Sequence, residues 1–309
     1  MHNAQRPPSR QPEFIDYRMV DWHNVRRTRC QFYQRFEYVY PGPIYNLKQR
    51  LVIIPADHYG TQHLLDHQLT INPAPVSMRQ AVDRFGNRVL ELEVSEADRV
   101  VSFEAHMNVE CAAHDVHRPA ISPAEAAYFL HPTPLTMPDD HIALIARQAR
   151  STATTEHDLA QQINNWVYEA MRYTSGVTTV KTSAADVLAR RQGLCQDYAH
   201  LMLAICRAAS LPARYVSGHL LGEGGSHAWV EVFIPTQGGL SAVAFDPTHK
   251  RQPHLGYVTV AVGRDYQDVS PTSGSFTAPY GGTLRCSKRA GLTFVEYRNG
   301  DTLQNSRAL

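Results

Sequence analysis

Apolar and polar positions along this chain follow one period up to about residue 110 and another from about residue 140. Phe103, Ala105, Met107 and Val109 alternate with Glu104, His106 and Asn108. That period of two buries one face of a strand and leaves the other wet. Leu90, Leu92 and Val94 alternate with Glu91 and Glu93 in the same way. Residue type and punctuation predict further strands over Phe32–Tyr40, Leu47–Ile54 and Leu64–Ile71, broken by Pro41-Gly42-Pro43 and Asn72-Pro73. Phe85-Gly86-Asn87 reads as a hairpin turn between Asp83 and Arg88. Short strands at this spacing predict a β-sandwich or small barrel over residues 30–111, preceded by a polar arm at 1–29.

Between 112 and 138 the alternation lapses. Pro119, Pro123, Pro132, Pro134 and Pro138 interrupt a weak helical fragment, Ala124 to Phe129, as in a surface linker. A helical period follows. Asp139 or Asp140 can cap a run over His141–Ala149, and Thr155-Glu156-His157-Asp158 resembles a capping box ahead of Leu159, Ile163, Trp166, Val167 and Ala170. Ser183 opens a short third helix that leads to Gly193. From Tyr198, apolar residues at Leu201, Met202, Ile205 and Ala209 predict an amphipathic helix burying one face. Leu211-Pro212 ends it. Strands are then expected at Ala213–Ser217, His227–Ile234, Ala242–Phe245, Tyr257–Val262, Thr283–Cys286 and Leu292–Tyr297. A second, α+β domain would therefore span 139–300, with a tail at 301–309.

Composition narrows the function classes. Of 309 residues 43% are hydrophobic, enough for real cores, and the formal charge is +1. That balance supports no electrostatic attraction to nucleic acid or membrane. Neither an apolar leader at the N-terminus nor a run of ~20 apolar residues is present in the sequence. Five scattered cysteines without CxxC spacing fit neither a disulfide scaffold nor a structural zinc site, and they suit a reducing, cytoplasmic setting.

The chemistry concentrates at Cys195. It falls in the first turn of its helix, where unpaired N–H groups and the macrodipole stabilise a thiolate, the nucleophilic form of cysteine. If Ile234 pairs with Gly239 across a four-residue loop, His227 stands directly opposite Asp246 on one sheet face. Cys195, His227 and Asp246 then form a nucleophile, a base and an orienter. Glu231, on the face of His227, is the fallback orienter. Cys206 reads as core. Asp197, His200 and Glu231 near Cys195 match no standard zinc spacing, so neither a metal nor another cofactor is expected. Arg264, Asp265 and Asp268 read as a charged turn near the cleft, and Gly222–Gly225 as a mobile edge of the site.

Three motifs carry a family resemblance: Gly193-Leu194-Cys195-Gln196-Asp197-Tyr198-Ala199-His200, Ser226-His227-Ala228-Trp229-Val230-Glu231 and Phe245-Asp246-Pro247-Thr248. Together they resemble the Cys, His and Asp motifs of the transglutaminase-like superfamily. The region Phe36–Glu110 is similar to the β-rich N-terminal domain of its bacterial branch. The resemblance implies a papain-like α+β core and a cysteine-dependent acyl-transfer enzyme, a peptidase or amidase working through a thioester on a peptide or protein substrate. The alternatives are a protein-glutamine transglutaminase with an amine acceptor, or a silent binding module of the same fold.

Overall fold

The structure is a computed structural model that describes residues 14–113, 120–237 and 239–304. The alternating segments form two antiparallel sheets around one core. The larger has the strand order Thr302–Gln304, Thr283–Tyr297, Val25–Val39, Val100–Ala112, Gln62–Asn72, His58–Tyr59. The smaller runs Thr272–Thr277, Ile44–Leu51, Arg88–Ala97, Ser77–Val82. Phe103, Ala105, Met107 and Val109 are buried against Leu47, Leu51, Leu90 and Leu92 from the second sheet. Glu91 and Glu93 face outward. The alternation thus gives the sandwich its inside and outside.

The expected division at residue 300 does not follow the strand pairing. Thr283–Tyr297 is a single strand lying antiparallel to Val25–Val39, and Thr272–Thr277 pairs with Ile44–Leu51. The chain therefore leaves the second domain and returns to complete the first. Period alone does not report this, because a strand's pattern records which face is buried and not which sheet it joins. The N-terminal arm also contributes, since the first strand begins at Val25 and Ile15 bridges to Leu292. Residues 1–13 and 305–309, the ends of the expected arm and tail, lie outside the described residues.

Among the described residues, five helices and a five-stranded sheet make the second unit. The helices are α1 (Pro123–Leu130), α2 (Asp140–Thr152), α3 (Glu156–Ala170), α4 (Ala184–Arg190) and α5 (Cys195–Ala208). The expected linker is more structured than its prolines suggested. Ala120–Ile121 adds an edge strand to the core sheet, and Ser122 closes a capping box with Glu125 at the start of α1. Pro123 occupies the first turn, where its missing N–H does no harm; Pro119 lies outside the described residues.

The core sheet has the order Tyr257–Gly263, Ala213–Leu220, His227–Thr236, Gly239–Phe245, Ala120–Ile121. On one of its faces Ala213, Tyr215, Ala228, Val230 and Val232 pack with α5. Side chains of α2, α3 and α4, among them Ile142, Leu159, Ile163 and Val187, join the same core. The expectation that α5 buries one face is corrected: Asp197 through Arg207 are all buried. Its polar members survive there through partners. Arg207, for example, donates to the carbonyls of Phe129, Ala213 and Arg264 and to Thr136 Oγ1.

The outer edge of the core sheet is covered by the sandwich. The strand Tyr257–Gly263 would expose unpaired backbone groups there, a liability for any edge strand. Gln62 donates to the Thr259 carbonyl and accepts from its N–H, both at 2.8 Å. Asn87, from the Phe85-Gly86-Asn87 turn, does the same at Val262, at 2.7 and 2.8 Å. Two side-chain amides thus act as strand partners and fix the sandwich against the sheet that carries the site.

Candidate active site

Cys195 opens α5, half-buried at the edge of the core. The turn before it is fixed from several sides. Asp197, three residues into the helix, accepts from the Leu194 N–H and from the Thr178 hydroxyl, both at 2.7 Å. A Cβ on Gly193 would lie 2.5 Å from Asp197 Oδ2, so only glycine lets that carboxylate close the turn. Gln192–Gly193 also pairs with Arg172–Tyr173 in a short parallel bridge. The sulfur is therefore carried on a rigid helix start with its backbone N–H directed outward.

His227 begins the next strand but one, opposite Gly218 in the ladder with Ala213–Leu220. Gly218 is required by close approach: a Cβ would meet the Val258 carbonyl at 2.1 Å and the Trp229 ring at 2.5 Å. Trp229 and Tyr257 then wall the imidazole, with ring centroids 6.0 and 5.8 Å away.

The expected hairpin register is wrong by two residues. Thr236, not Ile234, pairs with Gly239, and the ladder runs to Val230↔Phe245. Pro235 and Thr236 stay in the strand, and Thr236 Oγ1 donates to the Gly239 carbonyl at 3.1 Å, so the turn is tighter than assumed. One further step would set Asp246 opposite Trp229. A shift of two preserves the sheet face, however, so Asp246 remains a diagonal neighbour of His227. The two side chains meet, with His227 Nε2 2.8 Å from Asp246 Oδ2.

Asp246 is completely buried, and its carboxylate gathers four donors. His227 Nε2, His249 Nδ1 at 2.7 Å and the Tyr257 hydroxyl at 2.6 Å converge on Oδ2; the Thr248 N–H reaches Oδ1 at 2.9 Å. Burial would raise its pKa, but the bonds from His227 and His249 hold it well below the usual carboxylate range. For His227, burial works downward. The Asp246 bond, with the Cys195 thiol second, overcomes it and lifts the imidazole to about 10. With Nε2–H given to Asp246, Nδ1 is left to serve the thiol. Nδ1 has no completed hydrogen bond and lies 3.5 Å from Glu223 Oε2.

His249, Tyr257 and Glu223 are the neighbours that sequence reasoning missed. His249 places Nδ1 on Asp246 and Nε2 on Glu223 Oε1, each at 2.7 Å. Ionised carboxylates only accept, so both ring nitrogens carry protons and His249 is an imidazolium. The Asp246 bond, followed by that of Glu223, raises its pKa to about 9. A signal was available. Thr248 N–H bonding to Asp246 Oδ1 is an Asx turn, and such a turn folds the residue three positions on back beside the aspartate. Glu223 arrives from the loop Gly222–Gly225, where Gly222 has φ +97°.

His227, Asp246 and His249 offer three donor atoms in one place. Asp246 Oδ2 stands 2.8 Å from His227 Nε2 and 2.7 Å from His249 Nδ1, across proton-carrying hydrogen bonds. Ligands of a tetrahedral ion with bonds of 2.0–2.1 Å sit roughly 3.3 Å apart. The spacing matches shared protons better than a shared ion.

The other sequence candidates lie elsewhere. Glu231 is not near the site chemistry. It accepts from Arg214 Nε at 2.8 Å and from the Tyr59 hydroxyl at 2.6 Å, a buried cluster between sandwich and core. It lies four positions along the strand from His227, about 13 Å at the usual rise, which is too far to orient that ring. Cys206 is fully buried, and burial pushes its thiol up to about 12. His200 is buried and held neutral, first by burial and then by Arg207, and its Nε2 accepts from the Tyr266 N–H. Arg264 closes its own turn on Asp268 at 2.9 Å, as a charged turn would.

Comparison with known proteins identifies the family and the fold. The transglutaminase-like superfamily model matches residues 143–247, and the bacterial transglutaminase-like N-terminal region matches 31–110. Uncharacterized proteins of Mycobacterium tuberculosis and Mycobacterium bovis are each 30% identical over 277 residues, spanning 80% of this chain and 87% of theirs. A protein-glutamine gamma-glutamyltransferase of Pseudomonas aeruginosa is 40% identical over 75 residues, 20% of this chain and 11% of that one. A crystal structure of a candidate cysteine protease from Cytophaga hutchinsonii shares the fold with a TM-score of 0.67, at 24% identity, over 85% of this chain and 91% of that one. The chain belongs to the transglutaminase-like superfamily, with the N-terminal region of its bacterial branch.

Proposed function

We propose that the protein is a cysteine-dependent acyl-transfer enzyme that hydrolyses peptide or amide bonds through a thioester. One observation carries the reading: a cysteine at a helix start beside an imidazole whose far nitrogen is held by a buried carboxylate, His227 Nε2 to Asp246 Oδ2 at 2.8 Å. In this scheme Cys195 passes its thiol proton to His227 Nδ1, and its Sγ attacks the acyl carbon. The Cys195 backbone N–H donates to the oxygen that becomes negative, as preorganised donors at a helix start do. His227 Nδ1–H gives its proton to the departing amine, leaving the acyl group on sulfur. Water then attacks the thioester while Nδ1 takes its proton, and the acid leaves as the thiol re-forms. Asp246 stays ionised and fixes the tautomer.

A second reading has its own support: a protein-glutamine gamma-glutamyltransferase matches over 75 residues at 40% identity. In this second reading an amine takes the place of water. Incubating the purified protein with a peptide library, with and without a primary amine, separates the two. Hydrolysis predicts cleaved peptides whose yield the amine does not change, all lost in Cys195→Ala. Transamidation predicts amine adducts. Neither product, from protein whose Cys195 is intact, would overturn both readings.

A further inference from the structure

Resting on that reading of Cys195, we infer that Lys288 is the counter-charge of a carboxylate-binding subsite beside the nucleophile, so that the acyl donor is a carboxylate-bearing peptide. Lys288 belongs to the returning strand Thr283–Tyr297, whose partners fix its direction. It pairs with Gln34, between the pairs Cys286↔Phe36 and Ala290↔Phe32. Phe32, Gln34 and Phe36 are all buried, so this row faces inward, and Lys288 shares it while lining a cavity with His219 and Leu220 of the core unit.

There the ammonium stands 5.3 Å from the Phe36 ring centre, and no carboxylate acts on it among the described residues. Desolvation, which lowers its pKa, is the largest influence, and the Cys286 and Cys195 sulfurs oppose it. A half-buried cation without an anion is costly unless something supplies the missing charge.

The space beside it can hold that something. A cavity of ≈ 850 Å³ is lined by Lys288, His219, Gly222, Glu223, Gly224 and Gly225, among others. Glu223 joins this cavity to the catalytic cluster, because its carboxylate lies 3.5 Å from His227 and 2.7 Å from His249. Its own charge is matched by the His249 imidazolium. His219 is neutral, kept so chiefly by burial. The cations that line the cavity are therefore Lys288 and Arg289, and of the two Lys288 shares the inward row of the strand. A single ammonium is a point charge suited to one carboxylate, and a peptide offers carboxylates either on acidic side chains or at its C-terminus.

The test uses two small alkylating reagents that differ by one negative charge. Iodoacetate and iodoacetamide are reacted with the full-length protein, rates are read at Cys195 by peptide mapping, and each is divided by its rate with glutathione. The His227 imidazolium favours iodoacetate in every variant, so the comparison is between variants. Lys288→Met should lower the iodoacetate-to-iodoacetamide ratio about three- to fivefold. Lys288→Arg should keep it, and Lys288→Glu should lower it further. Continued protection of Cys30, Cys111 and Cys206 reports that each variant is folded. An unchanged ratio in Lys288→Met and Lys288→Glu overturns the subsite while leaving the nucleophile in place. A Cys195 inert to both reagents in the unaltered protein would instead refute the proposed function. Protection of Cys195 from iodoacetamide by acetyl-Ala-Glu-Ala-amide over its Gln counterpart assigns the carboxylate to a side chain. Protection by acetyl-tri-alanine over its amide assigns it to the C-terminus. No preference in either pair overturns the peptide assignment.

Discussion

Replacing Asp246 by asparagine removes one charge and almost no volume, yet the structure predicts a large and pH-dependent effect. Oδ2 receives three donors and Oδ1 one, so an amide fits in neither orientation. With its NH2 at the Oδ2 position it meets His227, His249 and Tyr257 as donor against donor. With its NH2 at Oδ1 it meets the Thr248 N–H. At least one buried clash survives either way; the His227 imidazolium loses its bonded anion and that of His249 keeps only Glu223. Removing one partner of a buried charge pair costs about 3–5 kcal/mol; we expect about 3 kcal/mol at pH 6.5, because each imidazole can shed its proton in response.

The sign of the pH dependence follows from the two histidines. Their folded pKa values, about 10 for His227 and about 9 for His249, lie above the unfolded value of 6.5. The stability they contribute is complete below about pH 6.5 and is lost as pH rises through 9 to 10. The difference between the unaltered protein and Asp246→Asn should therefore be largest near pH 6.5 and shrink by half or more at pH 10. Urea unfolding at the two pH values measures it. Peptide turnover should meanwhile fall about a hundredfold or more, since the imidazole loses both its tautomer and its counter-ion. A difference independent of pH, together with near-normal turnover, would refute the assignment of Asp246 as the anion that orders both rings.

Other consequences are open to simpler measurements. Gly218→Ala should destabilise by about 3 kcal/mol or leave the protein insoluble, because the Val258 carbonyl 2.1 Å from the new Cβ cannot move without opening the sheet. Tyr59→Phe should lose about 1–2 kcal/mol of stability through the bared Glu231 and Arg214 while leaving the Cys195 alkylation rate unchanged; a tenfold slower rate would return Glu231 to the site. A fragment of residues 112–309 should aggregate, since Thr283–Tyr297 loses its partner strand Val25–Val39. Soluble, monomeric fragment would show that the returning strands do not need the sandwich.

Much of this arrangement could be read from residue patterns. Alternation found the sandwich strands because each has one wet face, as Glu91 and Glu93 beside Leu90 and Leu92 show. The helix-start position of Cys195 and the meeting of His227 with Asp246 followed from local rules of helix starts and strand faces, which survive an even error in register. What stayed hidden was set by distant partners. The burial of α5 on all sides depends on Arg207 finding four acceptors that lie 6 to 78 residues away. The return of Thr283–Tyr297 to the first sheet depends on a partner more than 240 residues earlier in the chain. His249 is the exception, a local Asx turn that could have been read and was not.

The central claim is that Cys195 is a nucleophile activated by His227, and the rate of its alkylation tests this most directly. Cys30, Cys111 and Cys206 are buried, whereas Cys286 is exposed and is the fair competitor. Native protein is treated with iodoacetamide at neutral pH, and each cysteine is followed by peptide mapping, alongside His227→Ala and protein unfolded in urea. The account predicts that Cys195 is modified first, ahead of the more exposed Cys286, and that His227→Ala and urea each abolish this lead. Modification of Cys286 before Cys195, or a Cys195 rate indifferent to the loss of His227, would contradict it.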